Sequence, residues 1–260
     1  MRIAANLSLL FTERPLIERP RAACAAGFDA VEIQFPYEVP AVRLKEELER
    51  LQLPLVLINL PAGDLMQGGD GLACVPARQT EFDQALEEAL SYAAMVRPQT
   101  VNVLAGRLPA GVAREQALAT LITNLRRTAE AFQALGIRVC CEAINPLDMP
   151  GFLINTPEDL LGLLDAVGHP NLSAQLDLYH MARQGLDVPA AVRSLAGHLG
   201  HVQFADHPGR GAPGTGELDF SAALQALREV GYDGWLAAEY RPDAAGTEAG
   251  LGWLSTWKKS

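Results

Sequence analysis

Short apolar runs alternate with longer amphipathic stretches along the whole chain. In four segments an amphipathic helical stretch ends at a glycine and an apolar run follows within a few residues: 22–33 through Gly27, 129–142 through Gly136, 160–177 through Gly168 and 224–239 through Gly231. Glycine there suits the left-handed residue that closes a helix. Further helical patterns cover 41–51, 80–96, 114–135 and 189–195. Apolar runs at 3–5, 30–33, 55–58, 100–104, 139–142, 173–177, 202–204 and 235–239 predict strands. Strands that are apolar throughout, each followed by a helix, imply a parallel sheet covered by helices. Eight such units in roughly 250 residues match the arithmetic of an α/β (β/α)8 TIM barrel. A doubly wound open sheet is the alternative, but the first strand-to-helix turn lacks the Gly-x-Gly-x-x-Gly cradle of a dinucleotide site. Thr156-Pro157-Glu158-Asp159 reads as a capped helix start. With no Ser- or Pro-rich linker, one domain is expected over 1–260.

Composition narrows the partners. The 260 residues carry 21 basic and 31 acidic side chains, a formal charge of −10, which argues against nucleic acid and against an anionic membrane surface. The longest dense apolar stretch, 51–61, is broken by Pro54 and Asn59 and falls far short of the roughly 20 residues of a membrane span. Residues 3–11 are interrupted by Asn6 and Ser8 and no small-residue cleavage site follows, so a first strand is expected there and not a leader. Cys24, Cys74, Cys140 and Cys141 form no CxxC, which suits reduced thiols in a cytoplasmic protein. Lysine occurs only at Lys45, Lys258 and Lys259, near a charged run and at the chain's end, which leaves no candidate for Schiff-base chemistry.

Candidate chemistry gathers at the ends of the last four strands, which in a parallel barrel share one mouth. The runs Cys140-Cys141-Glu142, Ala174-Gln175-Leu176-Asp177, His201-Val202-Gln203 and Leu236-Ala237-Ala238-Glu239 each finish on an oxygen donor. Any one alone reads as a solvated acid or amide after a strand. Together, three carboxylates and one amide oxygen suit Mg²⁺ or Mn²⁺ better than zinc, and three crowded negative charges call for a cation. Glu142 and Glu239 could flank a small molecule, one taking a proton from a carbon beside a carbonyl and the other returning it; alternatively both are only metal ligands beside a separate base. His180, expected at the start of the loop beyond strand 6, is either a substrate contact or structural. Arg210, in the glycine-rich run Pro208 to Glu217, could grip a substrate carboxylate in two places or be an ordinary surface arginine. That run could be a phosphate cradle or a lid, and the segment from Asn59 to Pro76 a further wall. His169, His198 and His207 read as structural or solvent-facing.

Several of these segments carry a family likeness. Cys141-Glu142-Ala143-Ile144-Asn145, Asp177-Leu178-Tyr179-His180, His201-Val202-Gln203-Phe204-Ala205-Asp206 with Pro208-Gly209-Arg210, Gly214-Thr215-Gly216-Glu217, Ala238-Glu239-Tyr240 and Asn59-Leu60-Pro61-Ala62-Gly63-Asp64 resemble the hydroxypyruvate isomerase family, in the xylose isomerase-like barrel superfamily. The resemblance runs over essentially the whole chain. It implies a divalent metal on Glu142, Asp177, Gln203 and Glu239, with Glu142 and Glu239 as acid/base pair and His180 and Arg210 meeting the substrate. Related epimerases usually have histidine where Gln203 stands, which favours the hydroxypyruvate branch. The reaction implied is hydroxypyruvate to tartronate semialdehyde, or the same shift in a 2-oxo-tetronate.

Three rivals remain at this point: a ketose 3-epimerase, an abasic-site endonuclease of the same barrel, and a barrel that binds a sugar acid without turning it over. The endonuclease needs a histidine-rich trinuclear zinc site and a basic face, which −10 and a single all-oxygen set do not offer. A small-molecule substrate is therefore the expected partner, and Ala- and Leu-rich helical faces permit a homo-oligomer without specifying one.

Overall fold

The computed structural model describes residues 1–258. Eight parallel strands close into a barrel in chain order: β1 (Arg2–Asn6), β2 (Ala30–Ile33), β3 (Leu55–Asn59), β4 (Thr100–Val103), β5 (Arg138–Glu142), β6 (Leu172–Asp177), β7 (Leu199–Phe204) and β8 (Trp235–Ala238). β1 pairs with β8, Ala5 opposite Ala238, and this seals the wall. Around it lie α1 (Arg19–Ala26), α2 (Ala41–Leu51), α3 (Gln79–Val96), α4 (Arg114–Gln133), α5 (Pro157–Val167), α6 (Leu178–Arg183), α7 (Val188–Ser194), α8 (Phe220–Glu229) and α9 (Gly252–Trp257). The (β/α)8 barrel expected from the apolar runs is what forms, and the open-sheet alternative falls with the β1–β8 pairing. No helix among the described residues is long and apolar enough to cross a membrane.

Local signals explain the helix ends. Gly27 and Gly168 close α1 and α5 at φ 94° and 61°, a conformation that costs a residue with a Cβ but not glycine. Thr156 accepts from the Asp159 amide while the Asp159 side chain reaches back to the Thr156 amide, a complete capping box.

Successive strand residues face opposite sides of the wall. Ile3 and Ala5 join the large apolar core between strands and helices, while Ala4 joins Ala30, Leu57, Cys140 and Ala237 in a smaller apolar cluster. Over that cluster the strands turn polar: Asn6, Glu32, Asn59, Asn102, Glu142, Gln175, Asp177, His201 and Gln203 are all buried at or near the strands' C-terminal ends. Outside the wall, Phe204 packs edge-on to Trp253 at 5.3 Å and against Trp257 at 4.9 Å, so α9 covers β7.

Candidate active site at the barrel mouth

A cavity of about 660 Å³ opens at the C-terminal ends of the strands, lined among others by Glu142, His180, Gln203, Arg210 and Glu239. Asp177 stands beside them, its Oδ2 3.6 Å from His180 Nε2 and 3.5 Å from Arg210 Nη2. All six sequence candidates therefore meet in one place. Ligand atoms of Glu142, Asp177 and His180 lie within 4.8 Å of one another.

Glu142 and Asp177 are each held by neutral donors on one oxygen and present the other, while both oxygens of Glu239 take donors. Glu142 Oε2 accepts from the amides of Gln175 at 3.0 Å and Asn102 at 3.4 Å, leaving Oε1 toward His180. Asp177 Oδ1 accepts from the Tyr179 amide at 2.9 Å, capping α6, and Oδ2 faces Arg210. Glu239 Oε2 accepts from Asn6 at 3.2 Å, while Oε1 takes Gln34 and the guanidinium of Arg210. Gln203 is fixed in the same manner: a carboxylate can only accept, so Glu32 forces Nε2 toward itself at 2.7 Å and turns Oε1 to Gln175 Nε2, also at 2.7 Å.

Burial, with Glu239 and Asp177 close by, pushes the Glu142 carboxyl well above its usual range. Burial likewise raises Glu239, which Arg210 pulls back and Asp177 and Glu32 push further, to about 8. Burial disfavours the Arg210 cation, but Glu239, Asp177 and Glu142 outweigh it and hold the charge. His180 is desolvated and lowered to about 4, hence a neutral imidazole at pH 7. Such a donor set fits a hard divalent cation: the oxygens are those Mg²⁺ or Mn²⁺ prefers, and when all three carboxyls ionise one guanidinium offsets only one of their charges.

Arg210 is brought in by its loop. Asp206 accepts from the backbone amides of His207, Gly214, Gly216 and Leu218 at 2.8 to 3.0 Å, folding 206–218 around one buried carboxylate. Arg210 adopts φ 55°, and its Nε is a buried donor without a partner among the described residues.

Two readings change. His180 is not at the start of a loop but inside α6, which begins directly after β6. His207, read as structural or solvent-facing, lines the cavity and lies 6.1 Å from the Tyr179 ring. The residues that sequence reasoning missed form the supporting layer: Asn6, Glu32, Gln34, Asn102, Asn145 and Gln175. Glu32 also meets His201 Nε2 at 2.6 Å. One signal was available, an acid inside the otherwise apolar run Ala30-Val31-Glu32-Ile33.

The model of the family described as xylose isomerase-like TIM barrel matches residues 20–257. A hydroxypyruvate isomerase of Escherichia coli is 39% identical over 99% of this chain and 100% of its own length. A 2-oxo-tetronate isomerase of Cupriavidus necator is 40% identical over 98% of each. Among solved structures, one described as an AP endonuclease, family 2, from Brucella melitensis superposes with a TM-score of 0.93, 38% identity and 98% coverage of both chains.

Proposed function

Since the chain belongs to the xylose isomerase-like TIM barrel family, we propose that it is a divalent-metal-dependent isomerase that interconverts hydroxypyruvate and tartronate semialdehyde, or a related short 2-oxo acid such as 2-oxo-tetronate. The observation that carries this reading is the pair Glu142 and Glu239: two buried carboxyls, both raised above the ordinary carboxylate range, on one cavity with the half-buried Arg210, whose Nε has no partner among the described residues. Full-length similarity to isomerases of both kinds supports it.

In the proposed reaction Arg210 binds the substrate carboxylate, which orients the chain of carbons between the two glutamates. One carboxylate takes a proton from the hydroxymethyl carbon and the electron pair shifts into an enediolate. The hydroxyl proton passes from the oxygen on that carbon to the oxygen on its neighbour, the other carboxyl delivers a proton to the neighbouring carbon, and the aldehyde remains. Carboxyls raised above their ordinary range suit both duties, since each must hold and release a proton. Glu142, Asp177, Gln203 and Glu239 would hold the Mg²⁺ or Mn²⁺, whose charge stabilises developing negative oxygens. The four free thiols suit a reducing, cytoplasmic setting.

DNA cleavage of the kind named for the Brucella structure needs a basic face for phosphates, which a chain of net charge −10 opposes. The deciding experiment measures turnover of hydroxypyruvate, 2-oxo-tetronate, fructose and tagatose after EDTA treatment and after return of Mg²⁺ or Mn²⁺. Metal-restored conversion of the short acids is expected. Efficient ketose epimerisation with no turnover of either acid would overturn the reading, as would acid binding that survives chelation without any turnover.

A further inference from the structure

Asn145 is buried behind His180, and every atom of its amide is accounted for. Oδ1 accepts from the backbone amides of Leu147 at 3.1 Å and Asp148 at 2.8 Å. Nδ2 donates to Asp148 Oδ2 at 3.3 Å and lies 2.6 Å from His180 Nδ1. A flipped amide would set its oxygen against a carboxylate and its hydrogens against two N–H groups, so the orientation is not free. Asp148 is itself anchored as an anion by Tyr179 Oη at 2.8 Å and Arg183 Nε at 3.0 Å.

The consequence falls on His180. With an N–H donor opposite it, Nδ1 can only accept, so the ring proton sits on Nε2. Nε2 faces Glu142 Oε1 at 3.8 Å and Asp177 Oδ2 at 3.6 Å, both beyond a hydrogen bond, and borders the cavity. A protonated Nε2 has no lone pair for a metal, although distance alone would admit His180 to a set with Glu142 and Asp177.

We propose that Asn145 is a positioning residue that locks His180 in the Nε2–H tautomer, making it a hydrogen-bond donor to a substrate oxygen and keeping it out of the metal's ligand set. The substrate half of this inference rests on the isomerase reading; the tautomer half does not.

The test is a long-range ¹H–¹⁵N correlation spectrum of the histidine side chains in the metal-free chain and with saturating Mg²⁺, using His180→Gln to assign the signal. An acceptor-type Nδ1 and a proton-bearing Nε2 are expected in both states. Asn145→Asp, which puts an acceptor opposite Nδ1, should move a proton onto Nδ1 and lower kcat/KM for hydroxypyruvate by about 10- to 100-fold, the usual size for losing a group that orients an active histidine. Mn²⁺ affinity by titration calorimetry should not fall, since the variant leaves Nε2 a lone pair beside Glu142 and Asp177. A proton on Nδ1 of the wild type, loss of the Nε2 proton on adding Mg²⁺, or an unchanged tautomer in Asn145→Asp would overturn the inference. Should that variant fail to fold, the two wild-type spectra decide alone. A wild type with the expected tautomer but no turnover of the short acids would sink the isomerase reading and the substrate half with it, leaving the tautomer assignment standing.

Discussion

In the metal-free chain, Glu142→Gln should raise thermal stability while it removes turnover. Oxygens of Glu142 and Asp177 lie within 4.8 Å of one another. At an effective dielectric constant of about 20, two unit charges at that separation repel by about 3 kcal/mol. Burial and the neighbouring Glu239 and Asp177 raise the Glu142 carboxyl well above 4.5, so the wild type meets this repulsion as that carboxyl ionises. A raised carboxyl contributes stability fully below its unfolded value of 4.5, and the contribution is lost as pH climbs through the folded value. The amide of the variant has nearly the same volume, can still accept from Gln175 and can donate to Asp177, and it has no such pH dependence. The two proteins should therefore melt close together near about pH 5, with a gap in the variant's favour opening toward about pH 8. At ~2–4 °C per kcal/mol for a chain of this size, the gap should reach about 6–12 °C. Scanning calorimetry in EDTA across that range measures it directly. Saturating Mn²⁺ should reverse the order, because binding to the folded wild type adds RT ln(1 + [L]/Kd) and the variant has lost a ligand. A variant that melts at or below the wild type in EDTA at the upper end would refute the crowding of like charges on which the metal reading rests.

Four shorter tests follow from the same geometry. Glu142→Gln and Glu239→Gln should each lower kcat by on the order of 10²- to 10⁴-fold with unchanged circular dichroism, and near-normal rates in either would refute the two-carboxylate scheme. Burial pushes Cys74 and Cys141 up to about 12 and Cys140 well above its ordinary value, so a thiol reagent at neutral pH should label only the partly exposed Cys24 quickly, and all four after denaturation. In Gly216→Ala the new Cβ would stand 2.5 Å from the His207 carbonyl oxygen and 2.7 Å from Asp206 Oδ1, so the loop must shift Arg210 and steady-state kinetics should show a raised KM for the acid. Phe204→Ala removes a fully buried ring packed on Trp253 and Trp257 and should cost about 3–5 kcal/mol in urea unfolding.

The wall of this barrel is written locally. Each strand is a buried apolar run, and Gly27, Gly168 and the Thr156 box each mark a helix end through residues adjacent in the chain. α6 escaped because six residues are too few for a helical period, and because Asp177, read as a strand's last residue, is also the cap of the next helix. The site's outer layer was legible as polar residues ending apolar strands. Its supporting layer was not, since partners such as Glu32 and Gln203 stand 171 residues apart and meet only when β1 closes on β8. Nothing in the run Asn145 to Asp148 tells which ring nitrogen of a histidine on another strand's helix it will face.

The choice of tethers has a chemical consequence. Glu142, Asp177 and Glu239 are held from behind by Gln175, Asn102, Asn6 and a backbone amide, all neutral donors. Lysines or arginines in those places would fix the carboxylates equally well, but would neutralise them and lower their affinity for protons and for a cation. Amides fix direction and leave the charge. The one formal cation that ion-pairs them among the described residues, Arg210, comes from a loop and not from the wall, and bonds to the front oxygens. A cation held on a loop can give up those oxygens when a divalent ion and an acid substrate arrive, which a lysine built into a strand could not. The charges that must rearrange stand at the mouth, while the apolar plug of Ala4, Ala30, Leu57, Cys140 and Ala237 below and the helix-covered wall outside carry the fold.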